Sequence, residues 1–148
     1  VLRRRQRQMC IRDRYFNVYG DRQPLVGQYA PVVGLFLEQW KRGEAFTIVG
    51  DGEQRRDFTH VDDVVRANIA AAERASDITG ETINVGTGTN HSVNQIADMI
   101  CNSYTKNFIP PRPAEARVTL ADISKAKKLL GYMPSIEISD WIDEYKVQ

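Results

Sequence analysis

The sequence predicts an α/β fold on three observations: strand-like and helix-like runs alternate, glycine or proline closes most of them, and no internal repeat or low-complexity linker interrupts the series. Arg14 to Gly20 reads as a short strand, and Asp21 to Tyr29 as a loop carrying Pro24 and Gly27. Pro31 suits a first helical turn. Val32, Val33, Leu35, Phe36 and Trp40 then give an apolar stripe, and Lys41, Arg42 and Gly43 close the helix. Phe46 to Val49 is a strand that runs into the Gly50-Asp51-Gly52 turn. From Arg55 to Val61 polar and apolar residues alternate, which places Asp57 and Thr59 on one strand face and Phe58 and His60 on the other. Asp62 is the expected N-cap of a helix that reaches about Ala75.

Thr82 to Val85 reads as a strand and Gly86 to His91 as the loop behind it. Ser92 and Gln95 have the spacing of a capping box, ahead of a helix whose core face is Val93, Ile96, Met99 and Ile100. Ile109 to Pro113 must be extended, because each proline restricts the residue before it. Asp122 caps a helix from Ile123 to Leu130, stopped by Gly131, and a last amphipathic segment, Ile136 to Tyr145, uses Ile138, Trp141, Ile142 and Tyr145. The strands are too few for a full doubly wound sheet. They suit a small α/β unit or the back half of a larger one.

The chain has 148 residues, 42% of them hydrophobic, which is enough for one ordinary domain or most of one. No run approaches the length of a membrane span, and no apolar stretch follows a basic start, so a cytoplasmic protein is expected. Cys10 and Cys101 have no near partner, and His60 and His91 lack ligand spacing, so no disulfide framework or metal site is expected. The formal net charge of +1 hides an asymmetry. Arg3, Arg4, Arg5, Arg7, Arg12 and Arg14 crowd the start against Asp13 alone, and the remainder is net negative. Such a start can be a nucleic-acid arm. It has no helical or strand period and no interleaved aromatics for stacking, so residues 1–13 are read instead as a segment foreign to the domain or disordered.

Three clusters suit one anionic ligand: Asn17 at a strand end, Arg56 at a strand start, and Arg112 with Glu115 in the proline-rich stretch. A nucleoside diphosphate needs such a set, with donors for two phosphates and a carboxylate for ribose hydroxyls. Each also has a plain structural reading, since an arginine beside an aspartate is often a surface ion pair. Gly86-Thr87-Gly88 fails as a dinucleotide fingerprint, because His91 stands where a third small residue is needed. His60 shares Phe58's face and reads as a hydrogen-bonded core residue rather than a base. No Ser-His-Asp spacing, nucleophile elbow or phosphate-cradling loop is present.

The runs Arg14 to Gln23, Gly50 to Phe58 and Asn84 to Gly86, with Arg112-Pro113 and Leu120 to Ala126, resemble in that order the C-terminal half of extended short-chain dehydrogenase/reductases, above all the nucleotide-sugar epimerase/dehydratase branch that handles UDP-glucose. The resemblance covers Arg14 to Tyr145. It implies an incomplete Rossmann-like, doubly wound α/β fold, with residues 14–148 supplying the C-terminal strands and the small substrate-binding domain. It implies that Phe16 borders the nicotinamide of NAD and that Asn17, Arg56 and Arg112 hold the diphosphate of a UDP-sugar. By the same resemblance Phe58 lines the sugar pocket, Thr47 and Val49 belong to the strand that reads the uracil edge, Val32 packs on the base, and Glu115 faces the ribose. It further implies a homodimer for the parent enzyme, and no membrane or nucleic-acid partner. The family's glycine-rich NAD loop and Tyr-x-x-x-Lys pair have no match here, since no tyrosine has a lysine four positions later. The chain by itself is therefore expected to carry no catalytic residue and no activity.

Overall fold

A computed structural model describes residues 12–147 except Val26, Gln28 and Tyr29. Most of the arginine-rich start, and part of the loop expected up to Tyr29, therefore lie outside the described residues. The elements in chain order are β1 (Arg12–Tyr15), β2 (Val18–Tyr19), α1 (Val32–Arg42), β3 (Phe46–Val49), β4 (Arg55–Arg56), β5 (Thr59–His60), α2 (Val61–Glu73), β6 (Thr82–Val85), β7 (His91–Ser92), α3 (Val93–Cys101), β8 (Lys106–Ile109), α4 (Ser124–Leu130) and α5 (Ile138–Val147). Among the described residues the strands form four two-stranded ladders. β1 with β6, β2 with β5 and β3 with β8 are parallel, while β4 with β7 is antiparallel. The α/β class follows from this layout. No helix among the described residues is long and apolar enough to cross a membrane.

Two cores organise the elements. Phe36 and Leu37 of α1, Phe46 and Ile48 of β3, Ile96 and Ile100 of α3, and Trp141 and Ile142 of α5 bury together around Tyr19. Val64, Ala67 and Ala71 of α2, Ile83 and Val85 of β6, and Ala126 and Leu130 of α4 form the second core with Tyr132. Burial there pushes the hydroxyl pKa of Tyr132 up, as it does for Tyr19 in the first core. The strand expected at Phe46 to Val49 is present as β3, with Phe46 and Ile48 buried and Thr47 and Val49 half-buried.

Helix ends follow local chemistry. Gly43 sits at φ 71° after α1, where a Cβ would be strained, and Ser92 and Gln95 close a full capping box on α3. Asp122 accepts from the Ser124 N–H at 2.9 Å, which holds its carboxyl below the usual range, but the expected Asp122 cap moves one residue on: α4 starts at Ser124 with Ile123 at the N-cap position. The cap of α2 is different from expectation. It is His60, whose Nδ1 accepts from the Asp62 N–H at 3.2 Å, so the helix starts at Val61 and Asp62 lies in its first turn.

Two expected strands are each broken in the middle. The run from Arg14 divides at Asn17, at φ 31°, so that β1 joins β6 and β2 joins β5. Its first ladder starts at Arg12, two residues before the expected start at Arg14. The run from Arg55 divides at Asp57 and Phe58, between a ladder to β7 and a ladder to β2. Asp57, Phe58, Thr59 and His60 are all buried, so the expected two-faced alternation fails. β8 was not anticipated; it forms ahead of the proline stretch by pairing with β3.

Candidate nucleotide-binding site

The break at Asp57 is what builds the site. Its carboxylate is fully buried, and four donors meet it: the Thr87 N–H and hydroxyl on Oδ1, both at 2.8 Å, and the Gly88 and Ala121 N–H groups on Oδ2 at 3.0 and 3.1 Å. A buried carboxylate is tolerable only when hydrogen-bonded in this way. Gly86 is required beside it, because an added Cβ would collide with Ala121 and lie 2.9 Å from the Asp57 carboxylate. Asn17 holds the same segment from the other side, donating Nδ2 to the Asp57 carbonyl at 2.9 Å and accepting from the Thr59 N–H at 3.3 Å. Segment 55–59 is thereby fixed.

The two adjacent arginines take opposite roles. Arg55 donates Nε and Nη2 to Asn90, both at 2.7 Å, and serves the β4–β7 corner. Arg56 turns to a cavity of about 420 Å³, where Nη1 meets the Arg55 carbonyl and Nη2 meets Glu115 Oε1, both at 2.9 Å. Asn17, Val32, Thr47, Val49, Phe58, Arg112 and Glu115 line that cavity with Arg56, so eight of the nine residues singled out from the sequence share one site. The ninth, Phe16, does not line it. It is half-buried against the second core, beside the Asn17 break.

The cavity has an apolar end and a charged end. Val32, Leu35 and Pro31 of the α1 region, with Val93, give the apolar wall. Beside it runs the outer edge of β3: Phe46 and Gly50 turn their N–H groups to the β8 side, so Thr47 and Val49 turn theirs away from it. Gln39 fixes that edge at one end, accepting from the Thr47 N–H at 3.0 Å and donating to Thr47 Oγ1 at 2.8 Å. Gln54 fixes the other end, donating to the Val49 carbonyl at 2.9 Å. Sequence reasoning missed Leu35, Gln39 and Gln54. Leu35 follows Val32 by one helical turn and was visible by period. The two glutamines gave no signal, because their partners are set by tertiary packing.

A shallower groove of about 600 Å³ continues past Arg112 and Glu115 to Phe108, Pro110 and Arg117. At its rim Arg117 forms a two-pronged pair with Asp51 at 2.8 and 2.9 Å, and this pairing, with the Glu53 N–H, brings the Asp51 pKa down to about 2. Among the described residues there is no cluster of three or more His, Cys, Asp or Glu able to hold a metal ion. The Gly86-Thr87-Gly88 loop offers no cradle for a dinucleotide's phosphates, since the Thr87 and Gly88 N–H groups are taken by Asp57. NAD phosphates therefore have no seat on that loop.

Comparison with known proteins adds the family. The model of the NAD dependent epimerase/dehydratase family matches residues 3–86. A UDP-glucose 4-epimerase of Thermotoga maritima, solved with UDP-glucose, is 36% identical and superposes with a TM-score of 0.82 over 93% of this chain and 47% of that one. A UDP-glucuronic acid 4-epimerase of Bacillus cereus, solved with UDP-glucuronic acid and NAD, is 38% identical with a TM-score of 0.78 over 88% of this chain and 42% of that one. A UDP-N-acetyl-alpha-D-glucosaminuronate decarboxylase of Bacillus cytotoxicus is 40% identical over 141 residues, 88% of this chain and 43% of the relative. The chain spans about two fifths of the length of the curated relatives it matches. With a family model covering more than half of it and this Rossmann-like α/β structure, the chain belongs to the NAD dependent epimerase/dehydratase family.

Proposed function

We propose that residues 14–148 are the nucleotide-sugar-binding part of an NAD-dependent epimerase whose parent reaction interconverts UDP-glucose and UDP-galactose. The observation that carries the reading is the polarity of the cavity, with Arg56, Arg112 and Asn17 at one end and an apolar wall beside the β3 edge at the other. Paired guanidinium groups suit a diphosphate, because each offers planar donors to phosphate oxygens. A strand edge suits a base carrying one donor beside one acceptor. The roles are then Arg56, Arg112 and Asn17 on the diphosphate, Thr47 and Val49 on the base edge, Val32 on the base face, Phe58 toward the sugar and Glu115 toward the ribose. Phe16 sits next to Asn17 in sequence and is the proposed border with the nicotinamide.

Names among the relatives support a UDP-sugar, and they include a decarboxylase as well as 4-epimerases. A decarboxylase or dehydratase on a related UDP-sugar is thus the second reading. In each case NAD supplies the redox chemistry, and this chain's residues bind and orient the substrate. The test is thermal: UDP-glucose should raise the melting temperature of the chain, since a ligand that binds only the native state stabilises it. The same preparation supplied with NAD should show no epimerisation. No thermal shift at millimolar UDP-glucose would remove the binding reading, and measurable turnover would remove the division of labour.

A further inference from the structure

We infer that Glu115 is an internal competitor for the phosphate position on Arg56, and that it lowers the affinity of every phosphate-bearing ligand that reaches this arginine. The inference rests on the nucleotide-binding reading above and deepens it. Arg56 donates Nη1 to the Arg55 carbonyl and Nη2 to Glu115 Oε1, each at 2.9 Å. The Arg56 side chain is 14% exposed and that of Glu115 34%, so the pair lines the cavity on its solvent side. A phosphate oxygen arriving at Arg56 meets a nitrogen that already donates to a carboxylate. The guanidinium has further N–H groups, so the carboxylate weakens rather than blocks the phosphate, the two anions competing for the same charge and the same face of Nη2.

Glu115 is held in place for this. It follows Ala114, which stands at φ 59° in the left-handed region that non-glycine residues rarely adopt. The backbone just beyond is tied to the strand that carries Arg56: the Arg55 N–H donates to the Arg117 carbonyl at 2.8 Å, and the Thr119 N–H to the Arg55 carbonyl at 2.9 Å. The carboxylate is therefore presented to Arg56 by a turn anchored on β4.

Discrimination follows from the second guanidinium, Arg112, on the same cavity. A lone inorganic phosphate that displaces Glu115 exchanges one anion for another on Arg56 and gains little. A nucleoside diphosphate reaches Arg56 and Arg112 together and keeps its base contacts, so it overcomes the displacement. Uridine carries no phosphate and has no need to displace Glu115. Glu115 thus weakens both phosphate ligands by a similar factor and favours release of the bound nucleotide, while Arg112 supplies the preference for the diphosphate.

Calorimetric titration of the chain and of Glu115→Gln with uridine, UDP and inorganic phosphate tests this. UDP should bind roughly 2- to 5-fold tighter to the variant, the range of a partly exposed ion pair. Inorganic phosphate should gain by a similar factor, and uridine should not gain, because the glutamine oxygen still accepts from the ribose hydroxyls. Glu115→Asp, one methylene shorter, should behave like Glu115→Gln. In an Arg56→Ala background the substitution should have no effect on UDP, because the pair is already gone. Equal weakening of uridine and UDP in Glu115→Gln would show a ribose contact alone and overturn the inference, as would unchanged UDP and phosphate affinities. Absence of UDP binding to the unaltered chain would overturn the nucleotide reading itself, a separable result.

Discussion

Asp57→Asn is the substitution with the largest consequence to be expected from the structure. The carboxylate receives three backbone N–H groups and one hydroxyl and has no solvent contact. Asparagine keeps the shape but turns one acceptor oxygen into a two-proton donor. If the amide nitrogen takes the Oδ2 position, it faces the Gly88 and Ala121 N–H groups, donor against donor. If it takes the Oδ1 position, it opposes the Thr87 N–H instead, and only the hydroxyl can reorient. The second orientation is the cheaper: one hydrogen bond to a charged acceptor is lost at about 1.5 to 3 kcal/mol and the remaining donors meet a neutral oxygen, so about 2 to 4 kcal/mol of stability should go. With a urea slope of about 1.5 to 2 kcal/mol per molar, the midpoint should fall by roughly 1 to 2 M. The slope itself should hold, because the unfolded state is little altered. A midpoint within about 0.3 M of the parent would refute the account of Asp57 as the residue that fixes segment 55–59.

Three other substitutions probe neighbouring claims. Gly86→Ala should destabilise by about 1 to 3 kcal/mol, because its methyl group meets Ala121 and the Asp57 carboxylate in a packed interior; the urea midpoint reads this. Arg117→Ala should let the Asp51 carboxyl titrate near its ordinary value, followed by carboxyl-carbon NMR. Asp51 is held low in the folded chain, so its contribution is present above the unfolded value of 3.8 and is lost as pH falls through about 2; the variant should lack that pH dependence between 4 and 2. Ala114→Gly should leave stability unchanged or raise it by up to about 1 kcal/mol, since glycine adopts the left-handed conformation freely, and a clear fall in melting temperature would contradict the assignment.

What was legible in the sequence was whatever local chemistry decides. The Gly43 stop of α1, the capping box on α3 and the strand at Phe46 to Val49 each depend on residues within one turn or one strand, and each stands in the structure. The residues around the cavity were named through the ordered motifs, and the fold gathers all but Phe16. What was not legible depends on distant partners. Asp57 looked like one polar position in an alternating strand, yet its donors come from residues 30 to 64 positions away. The strand breaks at Asn17 and Asp57 follow from each segment joining two different ladders, which no local period encodes. His60 took the cap from Asp62 because its ring nitrogen already faces the Asp62 N–H when the strand turns into the helix.

The central claim is that Arg56 holds a nucleotide diphosphate in the cavity it shares with Arg112 and the β3 edge. Titration of UDP into the chain and into Arg56→Ala, followed by calorimetry, tests it most directly. The account predicts saturable one-to-one binding to the parent and a loss of roughly 10- to 150-fold in the variant, the range of hydrogen bonds to a charged group. Arg56→Lys should recover only part of it, for want of the planar fork. Equal UDP affinity in the parent and Arg56→Ala would contradict the claim.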